Sequence, residues 1–233
     1  MQENRFHFKS FEVIQNDQVH KVGTDGVLVG AWATVGDSDQ RILDIGTGTG
    51  LIALMMAQRT KATIEAIEPD ELAIVIAQKN FQNSPWADRI RLHHTRLQEF
   101  QTGSGFDRII SNPPFFHNKL APPDEKRKTQ RHTSSLSFEM LALNCSRLLN
   151  KSGSVSIILP VEESIKVKVE FEKHHLFLSR LTEVYSKPGQ SPIRHLQEYR
   201  FGNDSVSKSH LTLTTTSGER SAEYSSLTAS FYL

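Results

Sequence analysis

Asn112-Pro113-Pro114-Phe115 brings together residue types that suit one kind of chemistry. The run follows Asp107-Arg108-Ile109-Ile110-Ser111, an apolar stretch with the length and composition of a buried strand, so it falls where a strand ends. Two consecutive prolines carry no backbone N–H, and the first holds Asn112 in extended geometry, so a sheet ladder stops here. What remains is a set of carbonyl acceptors at fixed angles beside an Asn amide and an aromatic face. That set fits a planar base with an exocyclic amine. The amine donates to the Asn112 side-chain oxygen and to the Pro113 carbonyl, and the ring stacks on Phe115. The bland alternative is a rigid turn. A second motif upstream weighs against it.

That motif is Gly46-Thr47-Gly48-Thr49-Gly50, which follows the strand-like Arg41-Ile42-Leu43-Asp44-Ile45 and precedes the apolar, helix-like Leu51 to Gln58. Glycines in a strand-to-helix turn let a backbone approach a ligand closely, and the helix start adds exposed N–H groups. The spacing is G-x-G-x-G rather than the dinucleotide G-x-G-x-x-G, which weakens an oxidoreductase reading. Asp44 stands two residues before the first glycine and suits a ligand ammonium group, which a pyrophosphate does not have. About 20 residues after the loop, Glu68 closes the next strand-like run, Thr63 to Ile67, where a carboxylate takes ribose hydroxyls. A ligand with a ribose, an adenine and a charged amino-acid end is S-adenosylmethionine. Asp44 also has a bland reading as a turn residue, and Glu68 as a surface charge before Pro69 and Asp70.

With these residues in place, the chain resembles the class I methyltransferases that act on exocyclic amines. Within them it is similar to the bacterial tRNA1(Val) adenine-N6 methyltransferase family. The resemblance is carried by Lys21-Val22-Gly23-Thr24-Asp25-Gly26-Val27-Leu28, the segment from Leu43 to Gly50, Asn112 to Phe116, Arg131-His132-Thr133 and the ending Leu227 to Leu233, and it covers nearly the whole chain. It implies a catalytic set of Asn112, Pro113 and Phe115. It implies S-adenosylmethionine held by Asp44, Gly46, Gly48, Gly50 and Glu68, with Thr24 and Asp25 lidding the pocket. The implied substrate is the adenosine 3′ of the anticodon in tRNA(Val). One departure stands out: the family's relatives place an Asp after the third strand for the cofactor adenine, whereas Arg96, which cannot accept a hydrogen bond, or Thr95 stands here.

An adenine amine is a poor nucleophile because its lone pair is conjugated with the ring. Accepting both N–H protons favours a pyramidal nitrogen, and in-line attack on a sulfonium methyl then needs positioning rather than a strong base. A stacked target base must first be flipped out, which an anticodon loop permits at low cost. Between residues 117 and 132, Lys119, Lys126, Arg127, Lys128 and Arg131 outnumber Asp124 and Glu125. Beside a base pocket, Lys126, Arg127, Arg131 and His132 suit RNA phosphate, although a charge run is more often a solvated face. Phe116 is a base contact or a core residue. The alternatives are the same chemistry on rRNA guanine, DNA adenine or protein glutamine, and a non-catalytic RNA-binding module. Glutamine enzymes place Tyr after Asn-Pro-Pro and carry a helical N-terminal domain.

These residues need a scaffold. The 233 residues, 37% hydrophobic, with one cysteine and a net charge of +1, suit one domain without an intrachain disulfide, a metal cluster or a global basic field. With no apolar run of ~18 residues and no apolar leader after Met1, the expected setting is the cytoplasm, and the expected state a monomer. The expected fold is α/β: a doubly wound, mostly parallel seven-stranded Rossmann-like sheet with a terminal antiparallel strand, spanning 41–233 behind an N-terminal cap at 1–40. In the cap, Phe6 to Lys9 and Gln18 to Val22 are expected to pair as a hairpin, with a helix from Gly26 to Ala33 started by Thr24 or Asp25. Helices are expected at Glu71–Asn83 (Asp70 as N-cap), Phe138–Leu149 (starting at Ser137 and stopped by Gly153) and Val161–His174. Strands are expected at Ile90–His93, Phe106–Ser111 and Ser154–Leu159, then an antiparallel pair, Leu178–Tyr185 with His195–Phe201, and a short strand at Leu211–Thr215. Cys145 is expected to be a core residue.

Overall fold

The computed structural model describes residues 4–16, 19, 21–113, 136–202 and 205–232. The two central strands, β3 (Arg41–Ile45) and β4 (Thr63–Glu68), are buried beyond their first residues, the charged Asp44, Glu65 and Glu68 included. Strands buried in this way need cover on both faces, which parallel pairing with crossover helices supplies. Accordingly β3 pairs in parallel with β4 on one side and with β6 (Phe106–Ser111) on the other. The strand β5 (Ile90–His94) extends the sheet beyond β4, and β7 (Leu149–Pro160) extends it beyond β6.

The crossovers are α2 (Leu51–Arg59), α3 (Glu71–Gln82), α4 (Phe138–Leu148) and α5 (Val161–Lys173). Asp70 caps α3 by accepting from the Ala73 N–H at 2.9 Å, and Ser137 caps α4 by accepting from the Met140 N–H at 3.1 Å, both as the sequence implies. Beyond β7, β9 (Pro192–Phe201) runs antiparallel to both β7 and β8 (Leu176–Tyr185). The expected seven strands are therefore present. An eighth, β10 (Ser207–Thr212), adds in parallel along β8 at the sheet edge, starting earlier than the expected Leu211. A short helix, α6 (Ala222–Thr228), follows.

Two apolar layers flank the sheet. One packs α2, the N-terminal helix α1 (Thr24–Trp32) and Phe231 against Ile42, Ile64 and Ile110; the other packs α4 and α5 against Leu43, Ile109 and Ile157. Cys145 belongs to the second layer, and its burial raises the thiol pKa above the ordinary value. The helices α1 and α2 meet on glycines one turn apart. A Cβ on Gly26 would lie 3.1 Å from Leu51, and one on Gly30 would lie 2.6 Å from the Met55 sulfur. This contact brings the start of α1 beside the start of α2.

Three expectations fail for physical reasons. The N-terminal hairpin joins β1 (Asn4–His7) to β2 (Glu12–Gln15), not to Gln18–Val22. The turn at residues 8–11 closes through the Phe8 N–H donating to the Phe11 carbonyl, and stacking of Phe8 on Phe11 shortens the loop. Neither Thr24 nor Asp25 caps α1; Gly23 is its N-cap, without a side-chain bond. Gly153 does not stop α4, because β7 begins at Leu149 directly after the helix and runs through it. At Gly153 the register of β6 against β7 shifts, and a Cβ would stand 2.8 Å from the Asp107 carbonyl. That neighbour is backbone and cannot swing aside. Gly153→Ala is therefore expected to lower unfolding stability by about 1–3 kcal/mol. Chemical denaturation checks this, and a wild-type midpoint would remove the close-approach argument.

Candidate active site

The order in which strands are added reverses between β3 and β6. From β3 the chain winds outward through β4 and β5, then returns to start again at β6. Such a switch point opens a crevice at the carboxyl ends of the two strands. Ile45 pairs with Ser111 across it, so Gly46 and Asn112 are the first residues past adjacent strands. The two motifs meet because of this register, although 61 residues of chain separate the last glycine from Asn112. The Ser111 hydroxyl ties the strand ends together by donating to the Ile45 carbonyl at 2.9 Å.

The glycine loop takes a conformation closed to most side chains. Gly46, Gly48 and Gly50 have φ of 70°, 56° and 87°. At Gly50 a Cβ would also stand inside contact distance of the Phe81 ring. Three acceptors hold the loop. The Ile67 carbonyl at the end of β4 accepts from the Gly46 and Thr47 N–H groups at 3.0 and 3.1 Å. The Glu68 carboxylate accepts from the Gly48 N–H at 2.9 Å with one oxygen, and from the Asp70 N–H at 3.0 Å with the other. Asp44 accepts from the Thr47 hydroxyl at 2.6 Å and from the Ala53 N–H at 3.1 Å, both with Oδ2. Ala53 lies in the first turn of α2, whose N-cap Gly50 supplies no side chain, so Asp44 caps this helix from the neighbouring strand.

Two oxygens in the crevice are left over. Asp44 Oδ1 and Asn112 Oδ1 are buried and have no hydrogen-bond partner among the described residues. Buried acceptors of this kind are costly unless a donor meets them. A ligand with an ammonium group or an amine supplies such donors, so the residues present fit S-adenosylmethionine beside an amine-bearing base. Complete burial pushes the Asp44 pKa up from 3.8 to about 7. The Thr47 and Ala53 hydrogen bonds pull against that rise, and the nearby Glu68 charge adds to it.

The structure thus brings together Asp44, Gly46, Gly48, Gly50, Glu68, Asn112 and Pro113. The α1–α2 contact sets the first turn of α1, with Thr24 and Asp25, beside the first turn of α2, and the Asp25 carboxylate accepts from Arg194 Nε at 2.8 Å at the start of β9. Pro114, Phe115, Phe116, Lys126, Arg127, Arg131 and His132 lie outside the described residues. Arg194 escaped the sequence reading, as did Asn80, which binds the loop through its side chain. Arg194 carries no local signal. Asn80 does carry one, a polar residue in the core-facing row Ala73, Ile76, Ala77, Phe81 of α3. Among the described residues no group of three His, Cys, Asp or Glu side chains is arranged to hold a metal ion.

Comparison with known proteins places the chain in a family and a fold. Residues 23–159 match the methyltransferase small domain family. A tRNA1(Val) (adenine(37)-N6)-methyltransferase of Bacteroides thetaiotaomicron is 43% identical over 98% of this chain and 97% of its own length. That of Flavobacterium psychrophilum is 38% identical over 98% and 99%. Among solved structures, a predicted O-methyltransferase from Agrobacterium tumefaciens superposes with a TM-score of 0.70 at 18% identity, covering 89% of this chain and 96% of its own. A glycopeptide N-methyltransferase complexed with S-adenosylmethionine superposes with a TM-score of 0.58 at 13% identity, covering 81% and 99%. At these identities the structural matches bear on the fold alone.

The raised Asp44 pKa has a measurable sign. Between about pH 4 and 7 the folded protein holds the Asp44 proton more tightly than the unfolded chain does, so this group's contribution to stability falls as pH rises through that window. Unfolding free energies of wild type and Asp44→Asn, measured across the window, should differ by an amount that changes with pH. A constant difference would show that burial does not shift this carboxyl.

Proposed function

Since the chain belongs to the tRNA1(Val) (adenine(37)-N6)-methyltransferase family, we propose that it moves a methyl group from S-adenosylmethionine to the N6 amine of an adenine in that tRNA. What carries this reading is the pair of buried oxygens, Asp44 Oδ1 and Asn112 Oδ1, at the ends of neighbouring strands and without a hydrogen-bond partner among the described residues. S-adenosylmethionine, when bound, supplies an electrophilic methyl on a positively charged sulfur. Asp44 Oδ1 is the acceptor for its ammonium group. A cation there favours the ionised carboxylate, so binding draws the Asp44 pKa back down. Glu68, which takes the Gly48 and Asp70 N–H groups, is the carboxylate for the ribose hydroxyls. The Thr24–Asp25 segment, anchored through Arg194, flanks the same loop.

Asn112 Oδ1 and the Pro113 carbonyl accept the two N–H protons of the target amine. Removing amine electron density from conjugation is the chemical step these acceptors perform. Their rigid attachment to β6 keeps the amine oriented. The adenine ring stacks on Phe115, with Phe116 beside it. Lys126, Arg127, Arg131 and His132 follow in the chain and take phosphates of the RNA. The cytoplasm, where tRNA is processed, is the setting that goes with this activity, and among the described residues no helix is long and apolar enough to cross a membrane.

Incubation with labelled S-adenosylmethionine and unmodified tRNA(Val), followed by digestion to nucleosides, should place label in N6-methyladenosine. Label in another nucleoside would move the target amine, and absence of label would remove the activity. Asn112→Ala should lower kcat by roughly 10²–10³-fold while S-adenosylhomocysteine still binds, the size expected for losing a preorganised acceptor. A wild-type rate would end that assignment. Replacing Lys126, Arg127 and Arg131 with Gln should weaken tRNA binding and reduce the slope of log K against log salt by about 2–3. An unchanged slope would return those residues to a solvated face.

A further inference from the structure

The helix α3 buries a row of small and apolar residues against the sheet, and Asn80 interrupts it at 1% exposure. Its amide is satisfied by backbone on two other elements. Asn80 Oδ1 accepts from the Ile14 N–H at 2.8 Å, while Nδ2 donates to the Ile14 carbonyl at 3.0 Å and to the Thr49 carbonyl at 2.8 Å. The two bonds to Ile14 reproduce one rung of a strand ladder on the outer edge of β2, whose other edge pairs with β1. The third bond reaches the glycine loop one residue before Gly50. The next residue of α3, Phe81, is the ring that packs against Gly50.

A second tie continues the path. Gln15, the neighbour of Ile14, accepts from the Val22 N–H through Oε1 at 2.7 Å. Val22 precedes Gly23, the N-cap of α1, and Thr24 follows. One hydrogen-bonded series thus runs from the Thr49 carbonyl through Asn80, Ile14 and Gln15 to the segment flanking the loop.

We propose that Asn80 is a positioning residue for cofactor binding, and that through it the N-terminal hairpin serves as part of the cofactor site rather than as a separate cap. This rests on the reading of the loop as the S-adenosylmethionine site. A loop with three left-handed glycines has competing conformations, and a neighbour must select one of them. Asn80 selects it at Thr49, and the hairpin fixes Asn80 in turn by occupying its remaining donor and its acceptor. Gln15 uses the same hairpin to set the approach of residues 22–24 to the loop.

The test uses the full chain and S-adenosylhomocysteine as the titrated probe in calorimetry. Asn80→Leu, close in size but without the three bonds, should weaken binding by about tenfold, the equivalent of one net hydrogen bond. It should raise KM for S-adenosylmethionine in proportion while leaving KM for tRNA near wild type. Gln15→Leu spares the loop bond and should weaken the probe less, by about threefold, through residues 22–24 alone. A lowered melting temperature with wild-type probe affinity, measured where circular dichroism shows the fold intact, would overturn the proposal and leave Asn80 a packing residue. If Asn80→Leu does not fold, Gln15→Leu decides, and wild-type affinity there overturns the coupling. Failure of the underlying reading looks different, because wild type itself would then not bind the probe.

Discussion

The structure depends on holding one five-residue turn open. Between β3 and α2 the backbone passes three times through the left-handed region, at Gly46, Gly48 and Gly50. Such a turn gains little from its own contacts; it keeps its shape because surrounding groups consume its donors. The Ile67 carbonyl, the Glu68 carboxylate and the Asp44 carboxylate each take part of that load from a different strand position. Parallel pairing of β3 with β4 brings the three acceptors to one place.

The same arrangement concentrates negative charge in a buried crevice. Asp44 and Glu68 are both buried, and the Glu68 charge adds to the cost of ionising Asp44. Helix capping at Ala53 offsets part of the cost for Asp44, and the loop N–H at Gly48 does so for Glu68. What remains uncompensated is an affinity for a cation with N–H donors. A site tuned for a pyrophosphate would show the opposite balance, with N–H groups unpaired and no carboxylate facing them.

Much of this was legible in the chain because it depends on local residue type. Glycines at alternate positions after an apolar run, and two prolines after another, announce turns at strand ends. Asp70 and Ser137 announce helix starts. What was hidden depends on pairings between distant segments. The expected strand Phe6 to Lys9 differs from β1, and its partner from β2, because Glu12–Gln15 and Gln18–Val22 are both short mixed runs and only the Phe8–Phe11 turn decides between them. Gly153 resembled a helix stop, since nothing in its neighbours reveals that the Asp107 carbonyl approaches from β6. The Asp25–Arg194 pair joins residues 169 positions apart, and neither carries a local signal. Asn80 had a signal in its polar break of an apolar row, but its partners did not.

The two halves of the crevice are built on different physical terms. The half formed by β3, β4 and α2 is cross-braced: each loop acceptor is itself fixed by burial, and the neighbouring helices close over glycine contacts that leave no slack. The half formed by the end of β6 owes its rigidity to covalent geometry, since Pro113 fixes the chain direction and removes the N–H that would otherwise seek a partner. A buried Asn oxygen left without a donor is unfavourable in isolation, and packing alone would not retain it. It becomes favourable when a donor arrives from outside the chain. The two halves are therefore complementary: each keeps one buried oxygen, Asp44 Oδ1 beside the braced loop and Asn112 Oδ1 at the end of β6, for the hydrogens of an incoming group.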